Sequence, residues 1–355
     1  MAQQKDWRTA IVLQGGGALG AYEYGVLKAL YECRQDFTPA VVTGISVGAI
    51  NTAVLVGAKD DPIKSLDYVW REKFEMLQSL PPVVKSAVEQ FLPQGVQQSL
   101  AAFGNPGMYQ INPAYLCSPL QATSVYNLHP LKQTLEELVD LNTLNQPDKT
   151  RVVVSAVNIQ NTQLTSFDNT QGLVFDRILA SGSIAPSFPM TQIDGQFYWD
   201  GGLVSNTPLA QAINCLEELE PDNPDIRREI IVVELFSRQA SPPTNMIEVF
   251  SRVAQIPFTS RLDLDRKLFA KFSRFIDLIQ EIDQALPPDQ DAIRNKPGYA
   301  ELMGHKKIDA LTVITSQLPL KSSNAGDFSP ASLSLRIKTG YQDAIDQEIA
   351  KPQLV

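Results

Sequence analysis

A strand-like run, a serine between two glycines and a small-residue helix follow one another over residues 41–50. The run Val41-Val42-Thr43 favours a buried strand, because β-branched residues suit a pleated surface. Gly44-Ile45-Ser46-Val47-Gly48 then matches the G-x-S-x-G pattern, in which the glycines permit a sharp strand-to-helix turn. We therefore predict that Ser46 stands at a helix N-terminus, where free N–H groups and the helix dipole favour developing negative charge.

A second glycine-rich turn lies upstream of this serine. Ala10-Ile11-Val12-Leu13 predicts a short buried strand, and it leads through Gln14 into Gly15-Gly16-Gly17. Apolar residues at helical spacing follow from Tyr22 to Leu30. Three successive glycines leave their backbone N–H groups unshielded, so this loop can hold an anion. The anion could be a phosphate or the oxyanion of an acyl-transfer intermediate.

The spacing Gly15-x-Gly17-x-x-Gly20 also satisfies the dinucleotide-binding fingerprint. That alternative requires an acidic residue about 20 positions further on, at the end of a second strand. The second predicted strand, Ala40–Thr43, leads into Gly44 instead, and Glu32 and Asp36 fall in the preceding helix end and loop. A non-catalytic phosphate- or nucleotide-binding protein remains the alternative from a different functional class.

An aspartate followed by two glycines is the third feature. Tyr198-Trp199-Asp200-Gly201-Gly202 ends a predicted strand, and the glycines leave the carboxylate of Asp200 with little steric cover. That carboxylate could reach a serine on a neighbouring strand. The same three residues are also typical of an ordinary turn, so this feature alone does not decide between a catalytic and a structural role.

Taken in order, these three segments resemble the patatin-like phospholipase family. Residues Ala180–Pro189 resemble that family's Ala-Ser-x-Ala-x-Pro-x-x-Phe-Pro stretch, and residues 335–344 resemble a segment near the end of some members. The specific matches cover residues 9–57 and 176–210, whereas regions such as 71–150 carry no matching motif.

The resemblance implies a lipid acyl hydrolase with a Ser-Asp dyad, in which Ser46 is the nucleophile and Asp200 accepts its proton. A serine hydroxyl needs a base, and a tetrahedral anion needs fixed donors. Aspartate is ordinarily too acidic for this role, so burial or dipoles must raise its pKa. The implied substrates are lipid or lysolipid esters, as for a phospholipase A or a lysophospholipase. The implied oxyanion hole comprises Gly15, Gly16, Gly17 and Val47, and the supporting turns contain Gly44, Gly48, Gly201 and Gly202.

One position departs from the family pattern. Leu19 stands where the glycine loop usually carries Arg or Lys before its last glycine, as it does in some bacterial members. The backbone donors of the loop do not depend on this side chain. The substitution instead removes a cation that could bind a phosphate head group.

A Ser-Asp-His triad is the second enzymatic alternative, and the chain order Ser46, Asp200, His305 is formally allowed for it. However, Ser46 follows the second strand, which is too early for the α/β-hydrolase fold. His305 lies in the polar stretch 304–307, which predicts an exposed loop. His129 is predicted to lie in a loop or at a helix start.

Composition restricts the partners and the compartment. The net charge of −9 argues against nucleic acid and against strong generic attraction to anionic membranes. The N-terminus has no apolar leader-like run, and no apolar segment is long enough to span a bilayer. Three widely spaced cysteines, Cys33, Cys117 and Cys215, are typical of free thiols in a reducing compartment. These features predict a cytoplasmic protein that needs no metal or organic cofactor.

Alternating strands and helices predict an α/β fold, a three-layer α/β/α arrangement around a mostly parallel sheet. Sites in such sheets form beyond the carboxyl ends of strands, so Gly15, Ser46 and Asp200 could share one site. Further predicted strands are Arg151–Val157, Gln163–Phe167, Ile230–Leu235 and Ile308–Thr315.

We expect one patatin-like catalytic domain over residues 1–355, with its core in 8–70 and 151–236. Residues 237–355 are expected to form an extension that returns a strand and a helix to the core. The helical and loop insertion at 71–150 is rich in Gln, Pro and Leu, as in Phe91–Gln98. It could cover the site and shape an acyl pocket, or it could be a passive surface insertion.

Residues 261–282 predict a long amphipathic helix. A basic amphipathic helix can lie on a membrane surface, which would give the protein a peripheral membrane contact. Alternatively, the apolar stripe can be the core face of a solvated helix. The stripe contains Leu264, Leu268, Phe272, Ile276 and Ile279, and the nearby basic residues are Arg266, Lys267, Lys271 and Arg274.

Overall fold

The computed structural model describes residues 6–78, 80–81, 83–85, 88, 103–219, 226–237, 241–347 and 349. Eight strands form a central sheet in the order β11-β10-β1-β2-β6-β9-β8, with β7 also paired to β6, and β3-β4-β5 form a small second sheet. The five strands β11, β10, β1, β2 and β6 run parallel to one another, whereas β7 and β9 pair antiparallel with β6, so the predicted mostly parallel α/β sheet is confirmed. The strands are β1 (Asp6–Leu13), β2 (Val41–Gly44), β3 (Gly104–Asn105), β4 (Tyr109–Ile111), β5 (Tyr126–Asn127), β6 (Arg151–Asn158), β7 (Leu164–Asp168), β8 (Thr191–Ile193), β9 (Gln196–Asp200), β10 (Ile226–Glu234) and β11 (Ala310–Thr315).

Helices cover both faces of this sheet. Ile11 and Leu13 face one hydrophobic layer with α1, α2 and α12, whereas Ala10 and Val12 face another with α8 and Leu262 of α9. This alternation is the period-two pattern of a strand buried on both sides. The described helices are α1 (Gly20–Cys33), α2 (Val47–Gly57), α3 (Pro62–Tyr68), α4 (Pro113–Cys117), α5 (His129–Leu138), α6 (Leu141–Leu144), α7 (Phe175–Ser181), α8 (Leu209–Glu218), α9 (Met246–Ala285), α10 (Asp291–Arg294), α11 (Tyr299–Gly304) and α12 (Pro330–Asp346).

Strand β6 brings two distant parts of the chain end to end. β7 pairs with β6 over Val153–Val157 and therefore occupies one of its edges. β2 pairs with β6 over Arg151–Val154, and β9 pairs with it over Ala156–Asn158. Because each strand has only two edges, β2 and β9 must share the other one. The last residue of β9 therefore lies beside the carboxyl end of β2.

The predicted strands are present with shifted ends, and the largest shifts are in β1 and β10. Both begin several residues earlier than their apolar runs, at Asp6 and Ile226. Their first halves are polar but pair in parallel register. Thr9 donates a hydrogen bond to the buried Glu229 carboxylate at 3.1 Å, and Arg34 forms an ion pair with the same group at 2.6 Å. Hydrophobic pattern alone cannot detect strand residues that are buried as paired polar groups.

Residues 104–127 contain strands as well as helices and loops. β4 lies between β3 and β5 in an antiparallel sheet, which the predicted helical and loop insertion did not include. Tyr109 of β4 packs against Tyr126, Phe188 and Phe328, with ring centroids 4.8, 5.4 and 6.4 Å apart. The stretch Phe91–Gln98 lies outside the described residues.

The C-terminal residues add a strand and a helix to the sheet and its cover. β11 pairs in parallel with β10 along Ala310–Thr315. α12 packs against α1 with their backbones in direct contact at two glycines. A Cβ on Gly340 would overlap the carbonyl oxygen of Tyr22, and a Cβ on Gly25 would overlap that of Ile337. Only glycine at these positions permits this separation between the helix axes.

The long helix α9 runs over residues Met246–Ala285 and has apolar residues on two sides. Leu262 is fully buried in the layer beneath α9, and Phe258 packs on Phe236 with ring centroids 5.2 Å apart. In contrast, Leu264 is 53% and Phe272 is 62% exposed. The interpretation of the predicted stripe as the core face of this helix is therefore wrong for Leu264, Leu268 and Phe272, whereas Ile276 and Ile279 of the same stripe are half-buried. Within the described ranges, no helix is both long and apolar enough to cross a membrane.

The contact between α1 and α12 yields a stability prediction. Helix propensity alone would make Gly340→Ala stabilising by about 1 kcal/mol. Because the added Cβ would overlap the Tyr22 carbonyl, we expect a net destabilisation of about 1–3 kcal/mol instead. Gly304→Ala is the matched control, since a Cβ there meets nothing within 4 Å. Urea unfolding of both variants measures the difference, and equal stabilities would contradict the packing argument.

Candidate active site

Ser46 occupies a strained turn between β2 and α2. Its backbone angles are φ 57° and ψ −126°, a region that residues with a side chain rarely adopt. Two contacts hold it there. The Ser46 N–H lies 3.1 Å from both the carbonyl oxygen and the hydroxyl of Ser181. The Ser181 hydroxyl in turn donates to the carbonyl of Ser155 in β6, at 2.7 Å. The turn is thus tied to the strand beside it.

The two glycines of the motif allow close backbone packing around this turn. A Cβ on Gly48 would lie 2.6 Å from the Leu13 carbonyl oxygen and 2.7 Å from that of Gln14. A Cβ on Gly44 would overlap the first turn of α2 at Gly48. The start of α2 therefore packs directly against the end of β1, and any larger residue would force the two apart.

Asp200 lies beside Ser46, as the shared edge of β6 requires. Asp200 pairs with Ala156 in β6, two residues beyond Val154, the partner of Gly44. The Ser46 hydroxyl donates a hydrogen bond to the Asp200 carboxylate. The Gly202 N–H donates to the same carboxylate at 2.7 Å.

Burial sets the acidity of this carboxylate. Asp200 is only 2% exposed, and burial raises the pKa of its carboxyl to about 7, although hydrogen bonds from Ser46 and Gly202 oppose the shift. Removing the charged form from water is unfavourable, and two hydrogen bonds compensate for only part of that cost. Near neutral pH this carboxyl can therefore both accept and release a proton.

The glycine loop lies directly against the serine and is held by Asn206. Gly15 N–H donates to Asn206 Oδ1 at 3.1 Å, and Asn206 Nδ2 donates back to the Gly15 carbonyl at 2.8 Å. A Cβ on Gly15 would lie 2.8 Å from the Cβ of Ser46. The expectation that Gly15 donates to an oxyanion is corrected by this geometry, because its N–H is already used. Gly15 is instead the fixed end of the loop.

Three other N–H groups of the predicted oxyanion hole have no acceptor among the described residues. They belong to Gly16 and Gly17 in the loop and to Val47 in the first turn of α2. Gly17 has a φ of +55°, and a Cβ there would overlap the Ala325 carbonyl. Ala18 N–H donates to that same carbonyl at 2.8 Å. The loop is thus held at both ends, while its central N–H groups remain available.

A buried arginine from the C-terminal helix α12 supports the glycine loop. Arg336 is completely buried and donates to backbone carbonyls on either side of Ala325, those of Ser322 at 3.0 Å and Asn324 at 2.8 Å before it and that of Asp327 at 2.5 Å after it. It also lies 3.3 Å from the carbonyl of Ala18. Arg336 therefore fixes the segment on which Gly17 rests.

Gln14 connects the loop to the segment before α8 and to the end of β10. Its amide donates to Thr207 Oγ1 at 2.7 Å, and its side-chain oxygen accepts from the Leu235 N–H at 2.9 Å. Sequence reasoning did not identify Gln14, Ser181, Asn206 or Arg336. Gln14, Ser181 and Arg336 lie inside segments singled out by motif or resemblance, but the contacts from Ser181 to Ser46 and from Gln14 to Leu235 span 135 and 221 residues, and no local pattern reports such pairs.

A buried acid lies under the first turn of α1. Asn51 Nδ2 donates to Glu23 at 2.9 Å and to the Gly20 carbonyl at 3.0 Å, and Trp70 Nε1 donates to Asn51 Oδ1 at 2.9 Å. Burial raises the pKa of the Glu23 carboxyl well above its usual range, although the hydrogen bond from Asn51 opposes the shift. This buried network joins α1 to α2 behind the glycine loop.

The remaining predicted positions lie away from the dyad. His305 contacts Glu217 at 3.1 Å and precedes β11. It therefore lies near the amino ends of the parallel strands, whereas Ser46 follows the carboxyl end of β2. His129 is an exposed residue at the start of α5. Leu19 is fully buried, so a core side chain replaces the cation that the family pattern usually has there. Gly201 closes the turn after Asp200, where a Cβ would lie 2.5 Å from the Ser155 carbonyl.

The raised pKa of Asp200 predicts a pH-dependent stability. Between about pH 4 and pH 7 the folded protein holds a proton on Asp200 that the unfolded chain releases. The contribution of Asp200 to the free energy of unfolding is therefore lost as the pH rises through about 7. Asp200→Asn removes that loss. We expect the free energy of unfolding of Asp200→Asn, relative to wild type, to increase by about 2 kcal/mol from about pH 5 to about pH 8.

Urea denaturation at both pH values measures this change. Asp289→Asn serves as the control, because it makes the same chemical change at an exposed position. A difference between Asp200→Asn and wild type that is the same at both pH values would contradict a buried, proton-holding carboxyl.

Comparison with known proteins identifies the family of this chain. Among curated proteins, the chain is similar to a patatin-like phospholipase domain-containing protein of Neurospora crassa, 41% identical over 59 residues, which are 17% of this chain and 7% of that protein. It is also similar to triacylglycerol lipase 4 of Saccharomyces cerevisiae, 39% identical over 70 residues, 19% of this chain and 8% of the lipase. These matches span less than a tenth of either relative.

Among solved structures, the chain is similar to VipD from Legionella pneumophila. The TM-score is 0.43 and the identity 14%, over 98% of this chain and 68% of that one. The sequence model described as patatin-like phospholipase matches residues 11–213, which include Ser46, Asp200 and the glycine loop. Because this match covers more than half of the 355 residues, the chain belongs to the patatin-like phospholipase family.

Proposed function

We propose that the protein is a serine hydrolase of lipid carboxylic esters that uses Ser46 and Asp200 as a catalytic dyad. The observation that carries this proposal is the buried hydrogen bond from the Ser46 hydroxyl to the Asp200 carboxylate. It lies beside a glycine loop whose central N–H groups have no described acceptor. A nucleophile, a base and fixed N–H donors are the three parts that acyl transfer needs.

The proposed reaction proceeds through an acyl-enzyme. Ser46 Oγ attacks the ester carbonyl carbon while Asp200 takes the hydroxyl proton. The resulting oxyanion accepts hydrogen bonds from the N–H groups of Gly16, Gly17 and Val47. When the tetrahedral intermediate collapses, the carbon–oxygen bond to the alcohol breaks, and Asp200 returns its proton to the departing alkoxide. Water then attacks the acyl-enzyme with Asp200 again as base, and Asp200 returns this proton to Ser46 Oγ as the bond to the acyl carbon breaks and the free acid departs.

A single carboxyl can perform both proton transfers because its pKa is near neutrality. General acid–base catalysis is most efficient when the pKa of the catalytic group lies close to the working pH. Burial raises the pKa of Asp200 to about 7, so proton transfer from Ser46 is less unfavourable than it is to an exposed aspartate. No histidine is needed as an intermediate carrier.

The two rival functions have less support. A Ser-Asp-His triad would need His305 at the dyad, but His305 contacts Glu217 at the opposite edge of the sheet. A dinucleotide-binding protein would need an acidic residue at the end of the second strand, but β2 ends in Gly44. A phosphate-binding protein without catalysis does not require a strained serine that is hydrogen-bonded to a buried carboxylate.

The substrate class follows from the family and remains a proposal. Phospholipids and lysophospholipids are the first candidates, as for a phospholipase A or a lysophospholipase. Triacylglycerol is a second candidate, because one similar yeast protein is a triacylglycerol lipase.

The free thiols of Cys33 and Cys117 are exposed, which supports a reducing, cytoplasmic location.

Dyad variants test the proposal directly. We expect Ser46→Ala and Asp200→Asn each to lower kcat for short-chain p-nitrophenyl esters by about 10³-fold or more, because each removes half of the proton-transfer pair. A fluorophosphonate probe should label wild-type Ser46 covalently and leave Ser46→Ala unlabelled.

His305→Asn is the control for the triad alternative and should keep full activity. Hydrolysis that survives in Ser46→Ala would overturn the assignment of the nucleophile. An active wild-type enzyme then justifies a screen of phosphatidylcholine, lysophosphatidylcholine and triacylglycerol, with fatty acid release as the measurement.

Asn206 is predicted to act as a positioning residue for the oxyanion loop. Asn206→Ala removes both hydrogen bonds to Gly15, so the loop can shift relative to Ser46. We expect kcat to fall by about 10²-fold with little change in KM for a short ester, because misplacement affects the transition state more than binding. Ser205→Ala is the neighbouring control. A raised KM with unchanged kcat would contradict a positioning role.

A further inference from the structure

The helix α9 presents a second apolar side away from the core. Its core side carries Leu262 and Gln255, both buried. At 100° per residue, Leu264 lies on nearly the opposite side of the helix from these two. The outer stripe, defined here by side chains that are 44–62% exposed, contains Leu264, Leu268, Phe272, Phe275, Leu278 and Ile282.

This exposure distinguishes α9 from other helices on the surface. The outward positions of α12, for example, include Lys338, Gln342 and Asp346 as well as Leu335. A contiguous row of large apolar side chains in water is unfavourable, and such patches commonly mark a surface that another phase or molecule covers.

The charge beside the outer stripe is locally positive. Residues 266–276 contain four basic residues and no acidic one, between Asp265 and Asp277, in a chain with a net charge of −9. Lys271 lies over the Phe275 ring at 5.8 Å, and Lys267 pairs with Asp263 at 2.6 Å. Arg274 is exposed on the same flank. Apolar and basic residues together are the composition that favours an anionic lipid surface.

The apolar surface continues inward from the stripe. A cavity of about 830 Å³ lies between α8 and α9, and Leu268, Phe272 and Phe275 of the stripe are among its lining residues. Ile213 of α8 and Thr207, which accepts a hydrogen bond from Gln14, line the same cavity. Such a volume is in the range of sites that hold small apolar ligands. It adds apolar area to the face that carries the stripe.

The helix is also attached close to the catalytic edge of the sheet. Phe258 of α9 packs on Phe236, the residue after Leu235. The side chain of Leu235 fills the place where a Cβ on Gly16 would stand. A partner surface that binds along α9 is therefore connected to the glycine loop through Phe236 and Leu235.

We propose that the outer stripe of α9, with Lys267, Lys271 and Arg274 on its flank, docks the protein on the surface of an anionic phospholipid bilayer. The helix lies along the interface, its apolar side chains enter the headgroup and acyl boundary, and its cations contact lipid phosphates. The overall negative charge opposes binding elsewhere on the surface, so docking is confined to this helix. The purpose of the contact rests on the proposed function, but the binding itself does not.

Vesicle binding by Ser46→Ala protein tests the proposal without turnover. The vesicles are phosphatidylcholine with or without phosphatidylglycerol, and binding is measured by co-sedimentation. We expect binding only when phosphatidylglycerol is present. In the same background, Lys267→Glu, Lys271→Glu and Arg274→Glu together should weaken binding about 100-fold or more. Leu268→Ser, Phe272→Ser and Phe275→Ser together should also abolish it, although the charge is unchanged.

Matched controls alter the same chemistry elsewhere on the surface. Lys64→Glu, Lys149→Glu and Lys338→Glu make the same change in net charge and should bind more tightly than the α9 charge variant. Leu116→Ser and Leu120→Ser remove exposed apolar side chains from another segment and should leave binding unchanged. Equal loss in the α9 and control variants would overturn the proposal, as would binding that is retained in the α9 variants.

A second readout separates docking from folding and from catalysis. With Ser46 intact, the α9 variants should hydrolyse a soluble short-chain ester at the wild-type rate and lose hydrolysis of vesicle lipid. Loss of both activities would mean that the stripe is structural. A wild-type dimer that the apolar variant dissociates, with vesicle binding unchanged, would assign the stripe to self-association instead. Vesicle binding without any ester hydrolysis would refute the proposed function and leave docking intact.

Discussion

The site depends on one constraint of sheet pairing, the shared edge of β6. β7 fills one side of this strand, so β2 and β9 must meet end to end along the other. That meeting brings Ser46 and Asp200 together, although 153 other residues separate them in the chain. The hydrogen bond between their side chains forms because two strands of opposite direction end at the same point. Contacts from Asn206, Ser181 and Gln14 refine a geometry that this pairing establishes.

Two unfavourable features are concentrated where the strands meet. Ser46 has a positive φ, and Asp200 carries its carboxyl almost entirely out of water. Neither would persist in isolation, since strain and desolvation each favour rearrangement. The surrounding backbone prevents it: Ser181 accepts the Ser46 N–H, and Gly202 donates to Asp200. The same two features expose the hydroxyl and bring the pKa of the carboxyl near neutrality, so the instability and the proposed chemistry have a common origin.

The match to the family model ends at residue 213, but residues beyond this point also support the site. Arg336 fixes the segment around Ala325, against which Gly17 and Ala18 rest. Gly340 and Gly25 let α12 approach α1 closely enough for this contact to form. The C-terminal residues therefore do more than cover the sheet. They determine the position of the loop that supplies the proposed oxyanion donors, and α9 adds the face proposed to meet lipid.

The sequence alone determined the strand-turn-helix units, because G-x-S-x-G and the triple glycine act through local backbone geometry. It also predicted the mostly parallel sheet from apolar runs separated by helical patterns. It missed the polar halves of β1 and β10, the strands of residues 104–127 and the use of the Gly15 N–H, since each depends on partners far away in the chain. The sequence likewise could not tell which apolar side of α9 faces the core. Only the tertiary structure decided these points, because burial, side-chain pairing and the pKa of Asp200 are properties of neighbours in space, and local sequence does not specify those neighbours.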